Sequence, residues 1–181
     1  METNSITYKE FCILDIFEVQ NTHNILKTDV IFNSGTTPYV TAGMGNNSIA
    51  SYIAYDENRI EKGNSIMIGG KTMVITYQPQ DFYSNDSHNL VLYLLDSNPT
   101  ENTYLFFVSS LLKSLSHKYH WGDSISRAKI KTDTVMVPIN EKGNMDFIFM
   151  ENLINGIKKK VISKVKDFIN QERRAYLNVI Q

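Results

Sequence analysis

Turn residues cut the first 149 positions into short apolar segments that are rich in β-branched and aromatic side chains. Several segments alternate polar with apolar positions, which is the period of a half-buried strand. We predict strands at FCILDIF (11–17), PYVTA (38–42), SIASYIAY (48–55), SIMIGG (65–70), MVITYQ (73–78), NLVLYLL (89–95) and TVMVPI (134–139). The body of the chain is therefore expected to be β-rich.

Two other segments repeat their apolar residues with the period of a helix. The first covers 101–118, with Asn98 or Thr100 as its cap, and its apolar positions are Leu105, Val108, Leu111, Leu112 and Leu115. The second starts near 146, with apolar positions Met150, Leu153, Ile154, Ile157, Val161, Val165, Phe168 and Ile169. These patterns predict an α+β fold: a β-rich domain with one or more short helices, residues 1–146, and then a long amphipathic helix of coiled-coil type, residues 147–181.

The length of the second helix has a consequence for assembly. A helix of about 30 residues is about 45 Å long, which is more than the surface of a small domain covers. We expect part of its stripe to bury against another chain, either a second copy or a partner, or else to fold back on its own domain. The residues predicted for such an interface are Leu153, Ile154, Ile157, Val161, Val165 and Phe168.

Composition limits the class of protein without identifying its chemistry. At 181 residues with 42% hydrophobic side chains, the chain is long enough for one domain and an appendage. Cys12 is its single cysteine, so an intramolecular disulfide is excluded, and METNSITYKEF lacks the layout of a signal peptide. The longest apolar runs, such as LVLYLL at 90–95, are far shorter than the roughly 20 residues of a membrane helix. We expect a cytoplasmic protein without a membrane partner.

The distribution of charge is more informative than the net charge of -1. Residues 1–149 hold 11 Lys and Arg against 16 Asp and Glu, whereas residues 150–181 hold 7 against 3. Within the acidic body, the segment 113–131 carries five Lys and Arg against Asp123 alone, with histidine, tyrosine and Trp121 interleaved. This segment is a local cationic, aromatic-rich patch in a chain whose net charge does not by itself suggest a nucleic-acid partner.

No catalytic motif emerges from the sequence. Gly69-Gly70-Lys71-Thr72 ends like a phosphate-binding loop but lacks the upstream glycine and precedes a predicted strand. The four histidines show no metal-ligand spacing, and Cys12 lies in an apolar run where a buried thiol is the ordinary interpretation. We therefore predict no catalytic residue, no metal site and no cofactor.

Six segments in a particular order carry a resemblance to a known family. They are FCILDIFEV, TPYVTAGMGNNSIASYI (37–53), KGNSIMIGG (62–70), TYQPQDFYSNDSHNLVLYLL (76–95), KYHWGD (118–123) and KIKTDTVMVPINEKGNMDFIFMENLI (129–154). In this pattern the chain resembles the DNA-specificity (S) subunits of type I restriction-modification systems, and the related recognition subunits of some type II systems. The resemblance covers nearly the entire chain.

The resemblance implies a target-recognition domain that reads one half of a bipartite DNA site, followed by a spacer helix that docks the modification methyltransferase subunit. The chain itself would catalyse nothing, and a restriction motor subunit would be an optional further partner. Family members commonly carry two such domains and two helices, whereas this chain has one of each. We expect either a homodimer through the helix, which favours a symmetric, interrupted target, or a half-sized subunit with a different partner.

The resemblance does not transfer recognition residues, so the DNA-binding candidates come from loops and charge. Paired hydrogen bonds from Arg to guanine or from Asn to adenine are the usual means of reading bases. Three polar loops carry such groups: the turn at 43–47, the loop SNDSHN at 84–89, and the segment 118–129. The candidates are Asn46, Asn47, Lys71, Ser84, Asn85, His88, Lys118, His120, Arg127 and Lys129. The asparagines are equally suited to forming the turn alone, and Trp121 either stacks on DNA or closes the core beneath its loop.

Two alternative functions stay open. A small nuclease, or a fragment of a fused restriction-modification enzyme, would use Asp81, Asp86 and Glu101 as metal ligands, although these residues lack a paired-carboxylate spacing. A β-rich module that binds another protein would fit the acidic body. Binding to DNA that weakens steeply with salt would contradict the second alternative.

Overall fold

A computed structural model describes residues 6–96 and 98–179, with side chains in the last helix described as far as Tyr176. Residues 1–5 and 180–181, which belong to the two predicted regions, lie outside the described residues. The strands are β1 (Thr7–Cys12), β2 (Phe17–Asn21), β3 (Thr37–Val40), β4 (Ile49–Ile53), β5 (Ser65–Ile68), β6 (Ile75–Gln78), β7 (Tyr83–Ser84), β8 (Leu90–Leu94) and β9 (Thr134–Ile139). The α-helices are α1 (Ile13–Ile16), α2 (Glu101–Leu115) and α3 (Phe147–Val179). The α+β class is confirmed.

A four-stranded antiparallel sheet in the order β2-β8-β5-β6 forms the centre of the domain. Because successive side chains of a strand point to opposite faces, this sheet contributes to two cores. Ile66 and Ile68 belong to the core that contains Phe107 of α2. Met67, between them, packs with Val40 of β3 on the other face. The sheet is therefore sandwiched between helix α2 and the strands of a second sheet.

The second sheet has three strands in the order β4-β3-β7. Strand β3 pairs antiparallel with β4 and parallel with the two-residue strand β7, and a register shift interrupts its pairing with β4 between Tyr39 and Val40. Tyr39 is fully buried, and its hydroxyl donates to the carbonyl oxygen of Ile25 at 2.6 Å. This sheet positions the loops that follow β3 and β7.

The segment FCILDIF was predicted as a single strand, and this prediction is wrong. Strand β1 ends at Cys12, helix α1 forms one turn, and β2 begins at Phe17. The turn places Ile13 and Ile16 three positions apart on one side, where both are fully buried. The Ile13 N–H donates to the Asp133 carbonyl at 3.0 Å, so this turn is attached to the segment preceding β9, the antiparallel partner of β1.

Both predicted longer helices are confirmed. The Thr100 side chain caps α2 by accepting a hydrogen bond from the Thr103 N–H at 3.2 Å. The first turns of α3 pack against α2, with Met150 fully buried and Ile154 nearly so. Within the described ranges 6–96 and 98–179, no helix has the length and hydropathy that crossing a membrane requires.

Candidate nucleic-acid interface

Four polar segments meet at one cleft with a volume of about 290 Å³. They are the loop after β3, the turn between β5 and β6, the loop between β7 and β8, and the loop after α2. The residues that line the cleft are Thr41, Ala42, Gly43, Lys71, Thr72, Asn85, Asp86, Asn89 and Trp121. The three loops predicted to read DNA, which are far apart in sequence, therefore converge with the turn that carries Lys71.

The pair Gly69-Gly70 allows this convergence. The Gly70 N–H donates to the Asn89 side-chain oxygen at 3.2 Å, and the Gly70 carbonyl accepts from the Ile125 N–H at 3.1 Å. A Cβ on Gly70 would lie 2.1 Å from the carbonyl oxygen of His88, and a Cβ on Gly69 would lie 2.5 Å from the Cβ of Ala42. Only glycine permits such a close approach of neighbouring segments. Two adjacent glycines at the end of a predicted strand are the sequence signal that could have indicated this role, which was not predicted.

Ser84 does not lie in an exposed loop, contrary to the prediction. It belongs to β7 and is fully buried. Its hydroxyl oxygen lies 2.8 Å from the Thr22 hydroxyl and accepts a hydrogen bond from the Asn89 side chain at 3.2 Å. Because these groups have no access to solvent, Ser84 holds the base of the loop while Asn85 and His88 reach the surface.

Asp86 fixes the electrostatics of the cleft. Its carboxylate accepts from the His88 backbone N–H at 2.9 Å, lies 2.8 Å from the His88 imidazole Nδ1, and is 3.9 Å from the Lys71 ammonium. Burial by itself raises the pKa of Asp86, but the hydrogen bonds to His88 and the charges of His88 and Lys71 outweigh it, so that the pKa is lowered. The cleft therefore contains both an anionic acceptor and a cationic donor.

A change of Asp86 to Asn should destabilise the protein at about pH 7 and much less at about pH 3, because a carboxyl with a lowered folded-state pKa contributes stability above its unfolded pKa. This contribution is lost as the pH falls through the folded-state pKa. Thermal melting of both proteins at the two pH values measures the effect. Other carboxyls titrate in both proteins alike, so the difference in Tm isolates Asp86; an equal difference at both pH values would contradict the assignment.

The turn at 43–48 has an unusual backbone, since four consecutive residues have positive φ: Gly45 at 85°, Asn46 at 43°, Asn47 at 50° and Ser48 at 63°. Asparagine tolerates this region better than most residues. The Asn46 amide donates to the Ile49 carbonyl at 2.9 Å, and the Asn47 amide donates to the Tyr77 carbonyl at 2.8 Å. Both side chains are exposed, but each one stabilises the turn.

The cationic loop after α2 is divided between internal ion pairs and exposed groups. Lys118 donates to Asp133 at 2.9 Å, and Lys129 pairs with Asp123. Both lysines were predicted to contact DNA; each has a carboxylate partner within the chain, and the predicted contact stays a prediction. Arg127 is exposed and makes no hydrogen bond or ion pair with any residue that the structure describes. Arg127 is therefore one cation of this loop that is available to an external phosphate or base.

His120 and Trp121 lie in a tight turn of the same loop. The His120 and Asp123 backbones exchange two hydrogen bonds, at 3.2 Å and 2.9 Å, and the Gly122 N–H donates to the His120 ring at 3.2 Å. Trp121 is 75% exposed at the tip of this turn. It therefore does not close the core, which is one of the two roles considered for it.

The stripe of α3 forms a second exposed surface, distant in sequence from the cleft loops. Beyond Ile154 its apolar residues are open to solvent: Ile157 is 49% exposed and Phe168 is 62% exposed. The helix therefore folds back on its own domain only over its first turns. A groove of about 680 Å³ adjoins the start of the exposed stripe, and its lining includes Tyr8, Leu153 and Ile157.

Each of the three carboxylates considered as metal ligands of a nuclease has contacts of its own. Asp81 pairs with Lys62 at 2.9 Å, and Glu101 pairs with Lys158 at 2.8 Å. Asp86 has the cleft contacts given above. Among residues 6–96 and 98–179, no three His, Cys, Asp or Glu side chains form a group suited to a metal ion.

Comparisons with known proteins agree with the architecture. Residues 5–167 match the family model described as the type I restriction modification DNA specificity domain. The specificity subunit of the type II restriction enzyme BcgI from Heyndrickxia coagulans is 22% identical over 165 residues, which are 90% of this chain and 47% of that protein.

Solved structures show the same fold. The S subunit of a type I restriction-modification system from M. genitalium matches with a TM-score of 0.62 at 14% identity, covering 96% of this chain and 45% of that one. The HsdS subunit from Thermoanaerobacter tengcongensis matches with a TM-score of 0.58 at 10% identity, covering 90% of this chain and 41% of that one. The chain thus spans about half the length of these relatives. Since the family model covers most of its residues, the chain belongs to the family of type I restriction modification DNA specificity domains.

Proposed function

We propose that this chain is a non-catalytic specificity subunit that binds double-stranded DNA through the cleft and reads one half of a bipartite target. The observation that carries the proposal is the convergence of four polar loops at one cleft in a chain of this family. The BcgI relative is itself called a specificity subunit, which supports the same role here. The nuclease alternative has no group of metal ligands within the described residues in its favour.

In the proposed mode of reading, the cleft faces base edges and its margins face phosphates. The Asp86 carboxylate repels a phosphate placed inside the cleft, whereas the amino groups of cytosine and adenine are donors that suit a carboxylate or an amide oxygen. Lys71 and Asn85 line the cleft and would contact base edges. Arg127, exposed and without a partner among the described residues, would bind a phosphate or a guanine. His88 and His120 are exposed and are the chain neighbours of Asn89 and Trp121, which line the cleft.

We further propose that α3 is the assembly element. Two copies would pair their helices so that the stripe from Leu153 to Phe168 is covered, and the pair would present two cleft domains to a two-fold symmetric target. A methyltransferase subunit, with or without a restriction subunit, would dock on the assembled helices. A further similar structure, with a TM-score of 0.63 at 11% identity, is described in terms of complex assembly of a type I system, which supports docking as the function of this element.

The proposed interface is tested by removing Lys71, which lines the cleft, and Arg127, which is exposed in the loop after α2. We expect Lys71→Ala and Arg127→Ala each to weaken DNA binding by about tenfold at moderate salt. The slope of log affinity against log salt concentration should become shallower by about one for each phosphate contact that the variant loses. Fluorescence anisotropy of a labelled random-sequence duplex measures both quantities. Lys142→Ala is the matched control, because Lys142 is equally cationic, is exposed, and does not line the cleft.

Unchanged affinity in both variants would remove the cleft from the proposed interface. Absence of any salt-dependent binding by the wild type, alone or with the methyltransferase subunit, would favour the alternative of a protein-binding module. If the wild type does bind DNA, selection of bound sequences from the random pool would identify the half-site.

A further inference from the structure

Trp121 is a large apolar side chain that the fold leaves uncovered at the edge of a polar cleft. It is 75% exposed and lines the same cleft as Lys71 and Asn85. A single exposed aromatic residue is common on protein surfaces and requires no explanation by itself. Here the position is specific, because the residue lies where four loops converge. Met44, in the loop after β3, is 91% exposed and lines a neighbouring cleft that shares Thr41 and Gly43 with this one.

The turn that carries Trp121 is held by several independent contacts. Its ends are closed by the two backbone hydrogen bonds between His120 and Asp123, and Asp123 is paired with Lys129. Lys129 also donates to the Ser124 carbonyl at 2.9 Å. On the other side, the Ile125 N–H donates to the Gly70 carbonyl. The backbone that carries the indole is therefore held in place, and little conformational entropy of the turn is lost when a ligand contacts it.

The charged and polar groups of the cleft limit which ligands can contact the indole of Trp121. Beside Trp121 the Asp86 carboxylate lies 3.9 Å from the Lys71 ammonium, which reduces the positive charge that a phosphate would meet in the cleft. An indole has a wide apolar face and one N–H donor, which match groups that base edges present in the groove of a duplex: the methyl group of thymine and the acceptor atoms of guanine or adenine. From this juxtaposition, we propose that Trp121 is a base-contacting residue: its indole packs against a nucleobase of the bound DNA.

This inference depends on the proposed function, and the chain offers a direct way to test the two separately. Trp121 is the only tryptophan of the 181 residues, so the intrinsic tryptophan fluorescence of the protein reports on this position alone. In a titration with a fluorescently labelled duplex, anisotropy reports binding, while tryptophan emission from a parallel titration with unlabelled duplex reports contact. We expect the emission to be quenched with the same midpoint as the anisotropy, since a base in contact with the indole quenches its fluorescence.

Substitution completes the test. Trp121→Ala should weaken binding by about tenfold, the order expected when one good base-edge contact is lost, and Trp121→Phe should retain part of the affinity. Circular dichroism should show both variants folded, because the side chain is mostly outside the core. Inorganic polyphosphate, which offers charge without bases, should leave the tryptophan emission unchanged.

The outcomes separate the proposals. If anisotropy shows binding while the emission stays constant and Trp121→Ala binds as the wild type does, the base contact is refuted and the DNA-binding function stands. Quenching by polyphosphate equal to that by duplex would also refute it, because the indole would then sense the backbone. If anisotropy detects no binding of any duplex, the proposed function fails and the inference fails with it.

Discussion

Replacing Ile157 and Val161 together by Asp should weaken helix-mediated assembly by at least about a hundredfold, because each carboxylate would have to be desolvated in an apolar interface. The two side chains are half exposed in the single chain, so the substitutions remove little packing within it. The β-rich body should therefore keep its stability. Sedimentation equilibrium of the wild type and the variant over a wide concentration range measures the change.

Ser163→Asp combined with Asn170→Asp is the matched control. These positions are exposed and seven residues apart, and Ser163 lies two residues after Val161, so that both point away from the stripe on an ideal helix. The control adds the same two negative charges to the same helix. We expect it to assemble like the wild type. If both double variants dissociate equally, net charge rather than the stripe governs assembly, and a wild type that stays monomeric at high concentration refutes the pairing.

The spacing of the stripe indicates the geometry of the pairing. Val161 follows Met150, Val165 follows Ile154, and Phe168 follows Ile157, in each case by eleven residues. Eleven residues in three turns correspond to about 3.67 residues per turn, which is slightly more than the number in an undistorted α-helix. The stripe therefore stays on one side of a nearly straight helix, and paired helices should show little or slightly right-handed supercoiling.

Much of the fold was predictable because the periods of its segments differ clearly. The strand predicted at 134–139 has the observed bounds of β9, and the predicted segment 89–95 contains β8 with one extra residue at each end. The second long helix begins at Phe147, within one residue of the change in period near 146. These elements have long, regular patterns, and a regular pattern determines the face that a segment buries.

Short elements were not predictable in the same way. Helix α1 is a single turn within an apolar run, where strand and helix periods cannot be distinguished. Strand β7 has two residues, and its parallel pairing with β3 joins positions more than forty residues apart. Such pairings are decided by tertiary contacts rather than by local preference.

Only part of the candidate site could be predicted from the sequence. The three loops were identified from polarity and charge, and their convergence follows from the topology of two sheets that no local pattern reveals. The internal partners of Lys118 and Lys129 are Asp133 and Asp123, of which Asp133 is fifteen residues from Lys118 in the chain. A count of charges in the segment cannot distinguish a paired lysine from a free arginine. The exposure of Trp121 likewise depends on the turn geometry.

Gly70→Ala should lower the free energy of unfolding by about 2–3 kcal/mol, because an added methyl group in a close-packed site forces the backbone to move. The new Cβ would lie 2.1 Å from the His88 carbonyl oxygen and 2.8 Å from the His88 carbonyl carbon, both backbone atoms that cannot rotate away. Urea denaturation monitored by circular dichroism measures the change in stability. The free energy of DNA binding should decrease by more than the free energy of unfolding, since the displaced loop carries Asn85 and Asp86.

Gly43→Ala provides the control within the same cleft. A Cβ on Gly43 would meet only the Thr41 hydroxyl, at 3.4 Å, and its backbone does not have a positive φ. We expect that variant to unfold at the wild-type urea concentration. Equal stability of the two alanine variants would mean that the loop between β7 and β8 moves away from the turn without cost. In that case the four segments would not form one rigid reading surface, and each loop would have to be tested as an independent contact with DNA.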